Sequence, residues 1–186
     1  MRSRGQGGRS APRSLTARVR SRYHAQMRTM ITGGVKSGKS RHALLLAAEF
    51  PEPRSFLATA LAFDEEMRDK IERHRRERAG RFETIEEPID IHEKLRENMV
   101  LDCLPLWLNN LLHFGREEDF ELILSTLIDR LPRNIVIVSN EVGMGFIPAD
   151  ALSRTYGVLL GQANARVAAA CDRLVLMVAG QPLRVK

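Results

Sequence analysis

Residues 33 to 40 read GGVKSGKS, a G-x-x-x-x-G-K-S spacing carried by Gly33, Gly38, Lys39 and Ser40. The spacing has a mechanism. Glycines let successive backbone N–H groups turn inward around a β-phosphate, the lysine neutralises β- and γ-oxygens, and the serine hydroxyl can ligate Mg2+. The apolar stretch that follows, RHALLLAAEF, is expected to be a helix with its positive end aimed at the same anion. Gly34, Val35, Lys36 and Ser37 complete the turn. Composition alone would match the four fixed positions in a chain of this length about one time in a hundred. A β-type run directly before the loop makes an accident rarer still.

A phosphate loop needs a magnesium-positioning carboxylate at the end of a neighbouring strand. NMVLDC (98–103) supplies Asp102 after an apolar run, a position that in isolation reads as a turn residue. The other chemical feature is KIERHRRERAG (70–80), which sets His74 among Arg73, Arg75, Arg76 and Arg78. Asp64, Glu65 and Glu66 mark a helix start, and Met67, Ile71, His74 and Arg78 then share one stripe. Met67 and Ile71 favour burial, so His74 is expected to face the protein body. Neighbouring cations disfavour imidazolium, and arginines hold polyphosphate by bidentate contacts. A neutral imidazole beside bound phosphate can attack phosphorus. The competing reading is a solvated basic helix face with an incidental histidine.

The elements that must position these residues alternate. Strands are expected over 27–32, 54–59, 98–103, 134–140 and 173–179. Helical patterns lie between them, over 39–49, 64–79, 89–97, two pieces within 104–130, and 150–171. This alternation implies an α/β fold, a largely parallel sheet with helices on both faces and ligands at the C-terminal strand edge. No internal repeat or linker divides residues 27–186, which read as a single domain.

Composition narrows the function further. The chain has 186 residues, 44% hydrophobic and 28% charged, with no apolar run near the ~20 residues of a membrane span. A cytoplasmic protein is the expectation. The net charge of +6 suggests nucleic acid, but its distribution does not. Seven arginines and no acid lie in residues 1–26; removing these seven from 29 leaves 22 basic residues against 23 acidic. That Arg-rich leader is expected to be disordered. It resembles an organellar transit peptide or a nucleic-acid-binding arm, or it reflects a start placed upstream of Met27 or Met30. Cys103 and Cys171, each within an apolar segment, read as core thiols rather than metal ligands.

Taken in order, ITGGVKSGKSRHA, ATALAFDEEMRDKIERHR, ETIEEP, VLDCLPLWLNNLL, SNEVGMGFIP and VAGQPLRVK resemble the bifunctional adenosylcobinamide kinase/adenosylcobinamide-phosphate guanylyltransferases of cobalamin assembly. The likeness spans nearly all of Met30 to Lys186. It implies a RecA-like P-loop fold, a homo-oligomer and two reactions. ATP or GTP phosphorylates the aminopropanol hydroxyl of adenosylcobinamide; GMP then passes from GTP to that phosphate through a GMP–histidine. The resemblance makes His74 the guanylylated residue. It assigns nucleotide contacts to Gly33 through Ser40, to Ala58, Thr59 and Ala60, to Arg75, Arg76, Glu77 and Arg78, and to Glu86 and Asp102. Ser40 and Asp102 would serve Mg2+. No nucleic acid is expected as a partner. Three positions depart from the family pattern: Lys36 for arginine, Pro105 for threonine and Phe82 for tryptophan.

Other candidates are less distinctive. SNEVGMGFIP follows an apolar strand and offers Asn140 and Glu141, the latter a possible kinase base. His42, His92 and His113 read as packing or surface residues. Trp107 suits either core or a subunit interface. Gly157 and Gly161 cost a helix ~1 kcal/mol each, so close packing against a neighbour is the expected offset.

Overall fold

The computed structural model describes residues 27–145 and 147–186, apart from the side chains at 70 and 77. The leader over 1–26 and the side chain of Glu77 therefore lie outside the described residues. Seven strands make one sheet: β1 (Arg28–Gly33), β2 (Ser55–Ala58), β3 (Glu83–Glu86), β4 (Met99–Asp102), β5 (Ile135–Val138), β6 (Arg173–Val178) and β7 (Gln181–Arg184). Their order is β3-β2-β4-β5-β1-β6-β7. All neighbours are parallel except the final β6–β7 pair. Strand β5 thus separates the phosphate-loop strand β1 from the carboxylate strand β4, the arrangement of RecA-like P-loop folds.

Among the described residues five α-helices accompany the sheet: α1 (Lys39–Ala47), α2 (Glu65–Arg78), α3 (Leu104–His113), α4 (Phe120–Asp129) and α5 (Ala151–Ala170). Parallel strands are covered on both faces, so their sequences run continuously apolar. Alternate residues serve two cores. Met30, Leu57, Met99, Leu101, Ile135 and Ile137 pack with α3, α4 and α5. Ile31, Phe56, Val100, Val136 and Val138 pack with Ala43 and Ala47 of α1.

The expected 89–97 helix is instead a single 3-10 turn, Ile91–Glu93. The Glu87 carboxylate accepts the Ile89 and Asp90 amides at 3.0 and 2.9 Å, which holds a turn where a helix would begin. Strands β3 and β7 were not expected. β3 is polar (ETIE), and β7 is fully exposed with Pro182 in it, a combination tolerated at a sheet edge. Trp107 resolves to core: it is completely buried within the chain, donates to Ile89 O at 2.9 Å and stacks on Phe120. Among the described residues nothing lies within 4 Å of a side chain built at Gly157 or Gly161, so none of them offsets these glycines.

Candidate active site

Strand register assembles the site. Ala58 pairs with both Glu86 and Asp102, and Asp102 pairs with Val138. Three residues far apart in sequence thus sit side by side at the C-terminal edge, and Val138 pairs with Ile31, two residues before the loop. In-register residues share a face, and Ala58 and Val138 belong to the core that α1 covers. Asp102 therefore faces the helix that begins at the phosphate loop.

The loop itself is shaped by local sterics. Gly33 has φ 142°, and a Cβ there would lie 2.4 Å from Met177 O, so only glycine fits. Gly38 caps α1 in the left-handed region at φ 94°. Gly34, Val35 and Lys36 are exposed, whereas Ser37 and Lys39 are buried. Lys39 Nζ donates to Gly34 O at 2.7 Å, folding the side chain back across the turn. Burial lowers its pKa, opposed by Cys103 and Asp102.

Asp102 is the meeting point. Burial pushes its carboxyl above the ordinary range, against the Ser40 hydroxyl beside it, the imidazole of His74 and the charges of Arg78 and Lys39. Loop, carboxylate strand and α2 thus converge on one side chain. A carboxylate and a hydroxyl are hard oxygen donors, and together they suit Mg2+, which keeps water and phosphate oxygens as its remaining ligands.

Helix α2 positions His74. Asp64 caps it, accepting from Met67 N at 2.7 Å, with Glu65 and Glu66 in the first turn and Arg75, Arg76 and Arg78 in the last. Each end thus carries the charge that its dipole favours. Met67, Ile71 and His74 are half-buried and Arg78 is buried, so their stripe is the inward face. Arg75 and Arg76 are exposed, and Arg75 lies 4.0 Å from Glu86. Arg78 is engaged inside: its guanidinium sits 4.2 Å over the Phe56 ring and donates to Thr84 Oγ1 at 3.1 Å.

Thr59 is tied to the chain that follows Asp102. It is fully buried; its hydroxyl donates to Cys103 O at 2.8 Å and accepts from Cys103 N at 2.9 Å. Its carbonyl accepts from buried Asn110 at 2.8 Å. These bonds shape the turn after Asp102. Ala60 is half-buried beside it. Pro105 falls in the first turn of α3, where a missing N–H costs nothing, and its carbonyl accepts from Tyr156 at 3.2 Å. Phe82 is buried in the α1-side core. His42 is half-buried, and burial followed by Arg173 holds its pKa down. His113 makes a ring contact with Phe63.

Asn140 and Glu141, singled out in the sequence, belong to a polar cluster whose other members, Thr32, Ser139 and Asn164, sequence reasoning missed. Glu141 Oε1 accepts from Thr32 Oγ1 at 2.7 Å, Ser139 donates to Asn164 Oδ1 at 2.6 Å, and Asn164 Nδ2 donates to Asn140 O at 2.8 Å. The available signal was Asn164 itself, a polar residue beside Leu160, Ala163 and Val167 on the buried stripe of α5.

A phosphate loop on a parallel sheet, a carboxylate one strand beyond its neighbour and a lysine folded over the loop define a P-loop enzyme acting on nucleoside triphosphates. The chain belongs to the CobU family, described as cobinamide kinase / cobinamide phosphate guanyltransferase, whose pattern matches residues 29–185. It is 39% identical over 169 residues to the bifunctional adenosylcobalamin biosynthesis protein CobP of Pseudomonas aeruginosa, covering 86% of this chain and 98% of that one. It is 33% identical over 182 residues to CobU of Escherichia coli, covering 86% and 100%. Among solved structures, a KaiC-like protein of Pyrococcus horikoshii is 13% identical with a TM-score of 0.46, covering 82% and 71%. The flagellar accessory protein FlaH of Methanocaldococcus jannaschii is 12% identical with a TM-score of 0.48, covering 91% and 84%. Among the described residues no helix is long and apolar enough to cross a membrane.

Proposed function

We propose that this chain phosphorylates adenosylcobinamide with ATP or GTP and then transfers GMP from GTP to the resulting phosphate, with residues 27–186 acting as one catalytic unit. The observation that carries the reading is the strand register that sets Asp102 on the α1 face at the sheet's C-terminal edge, beside Ser40 and within electrostatic reach of Lys39 and His74, in a chain of this family. The backbone amides of the Gly33–Ser40 turn hold the triphosphate, and Lys39 neutralises its charge. Ser40 and Asp102 would hold Mg2+, which when bound supplies positive charge to the phosphate oxygens. Arg75 and Arg76, exposed on the last turn of α2, can swing toward a nucleotide once the 4.0 Å surface contact of Arg75 with Glu86 yields.

In the second reaction a nitrogen of His74 attacks the α-phosphorus. A P–N bond forms, the bond to the bridging oxygen breaks, and pyrophosphate leaves with the electron pair. The phosphate of the corrinoid then attacks the same phosphorus and restores the imidazole. Two substitutions replace one between bulky partners, and the phosphoramidate keeps most of the anhydride's transfer potential.

The test is labelling with GTP carrying its isotope at the α-phosphate, in parallel with γ-labelled GTP. Acid-labile, base-stable label on the protein is expected from the α-position only, and absent in His74→Ala. Label from the γ-position, or α-label that survives in H74A, would remove His74 from this role.

A further inference from the structure

The two reactions place different demands on a base. In phosphoryl transfer the acceptor is an alcohol, whose proton must leave as the new O–P bond forms. In guanylyl transfer the attacking groups are an imidazole lone pair and then a phosphate oxygen, largely ionised near neutrality. A base is therefore needed in the first reaction and not in the second. The residues placed so far do not supply one. Lys39 is a cation, Asp102 faces Ser40 and the metal position, and His74 is the nucleophile of the other reaction. Glu86 is exposed opposite Arg75, and Glu87 holds the amides of Ile89 and Asp90.

Glu141 remains, and its setting is built. It follows β5, the strand lying between the phosphate-loop strand and the Asp102 strand. Its backbone N–H donates to Gly33 O at 3.3 Å, anchoring it to the first residue of the loop. Oε1 is held from two sides, by Thr32 Oγ1 at 2.7 Å and Asn164 Nδ2 at 3.5 Å. Thr32 and Asn164 are themselves 4% and 8% exposed, so the clasp is rigid, while Glu141 stays half-buried and accessible. Among the described residues no bond engages Oε2. The bonded neighbours Thr32 and Asn164 are uncharged; the adjoining elements carry Lys36 and Lys39 in the loop, Asp102 at the end of β4, and Arg154 and Arg166 on α5.

Resting on the kinase reading above, we propose that Glu141 is the proton acceptor for the corrinoid hydroxyl in phosphoryl transfer. The hydroxyl oxygen forms its bond to the γ-phosphorus, and the bond from that phosphorus to the β-bridging oxygen breaks. The nucleoside diphosphate departs with the electron pair, and the hydroxyl proton passes to Oε2. Thr32 and Asn164 are positioning residues that hold the carboxylate against the loop.

Both reactions are measured separately on the full chain: adenosylcobinamide with γ-labelled ATP, and purified adenosylcobinamide phosphate with GTP. In E141Q the kinase kcat should fall by about 10²–10⁴-fold, the scale of a lost general base, with little change in nucleotide KM. Guanylyl transfer should stay within about threefold, because neither attacking group brings a proton to remove. In T32V, which keeps the carboxylate but withdraws the hydroxyl that holds Oε1 against the loop, kinase kcat should fall while nucleotide KM and guanylyl transfer change little. The T32V result stands by itself should E141Q not fold. Kinase activity kept in E141Q, equal loss of both reactions, or a T32V kinase kcat equal to that of the wild type would overturn the proposal. A wild-type chain that phosphorylates no corrinoid would overturn the kinase reading, and the proposal with it.

Discussion

Asp102 carries opposing demands in a single carboxylate. Packed against the loop helix, it loses water and its pKa rises, while Ser40, His74, Arg78 and Lys39 pull the other way. A group whose folded pKa is raised contributes stability below its unfolded pKa and loses it as pH climbs through the folded value. Where it is ionised, the side chain is therefore a cost to the nucleotide-free fold, one that a bound cation offsets. Asp102→Asn should accordingly raise the melting temperature of the free protein and abolish the further rise produced by Mg2+ with nucleotide. Differential scanning fluorimetry reads both; a lowered melting temperature in the free variant would contradict the electrostatic account. Gly33 shows the same economy on the backbone side, since Met177 O fills the space any Cβ would need.

Helix α5 is the element whose residues divide most cleanly between fold and site. Its stripe of Leu160, Ala163 and Val167 joins the larger core, while Asn164 on the same side ties Ser139 and Asn140 at the end of β5. Asp150 caps its start, accepting from Ser153 N at 2.7 Å. Gly161 is exposed, and among the described residues nothing lies near its missing side chain. Gly161→Ala should then stabilise the isolated chain by about 0.5–1 kcal/mol, roughly 1–4 °C in melting temperature. A loss of stability instead would show that another molecule packs on this face. Helix α2 is the contrasting element: charged on most sides, it docks through a narrow stripe, and His74 and Arg78 are part of that stripe.

Across the whole molecule, two weak acids, buried Cys171 and half-buried Tyr156, set the alkaline limit. Burial, reinforced by Asp172, pushes the Cys171 thiol to about 12, and burial with Cys103 pushes the Tyr156 phenol to about 12. Both folded values lie above the unfolded ones, 9.0 and 10.0, so both groups stabilise the fold below pH 9 and lose that contribution as pH rises toward 12. Unfolding free energy should decline steadily over this window, and Cys171→Ala should flatten the lower part of the decline, measured by urea titration at successive pH values. Alkylation at pH 8 should accordingly modify Cys103, half-buried at the edge, well before Cys171 in the core.

Much of this was legible in the residues alone. The apolar runs leading to Gly33, Asp102 and Ser139 announced parallel strands, because a strand covered on both faces has no polar face to show. The phosphate loop was readable because its glycines and lysine answer to a local steric and electrostatic need. The 4-3-4 spacing of Met67, Ile71, His74 and Arg78 forecast the inward face of α2, since helical periodicity is local too. Edge strands β3 and β7 stayed hidden, being short, polar and exposed, with pairing partners set by the rest of the sheet. What only the tertiary structure decided was which atoms meet: Thr59 clasping Cys103, Arg78 lying on Phe56, Asn164 and Thr32 closing on Glu141. Spacing along a chain fixes direction and face, but a contact between residues a hundred positions apart depends on strand order and register, and those emerge only when the whole sheet packs at once.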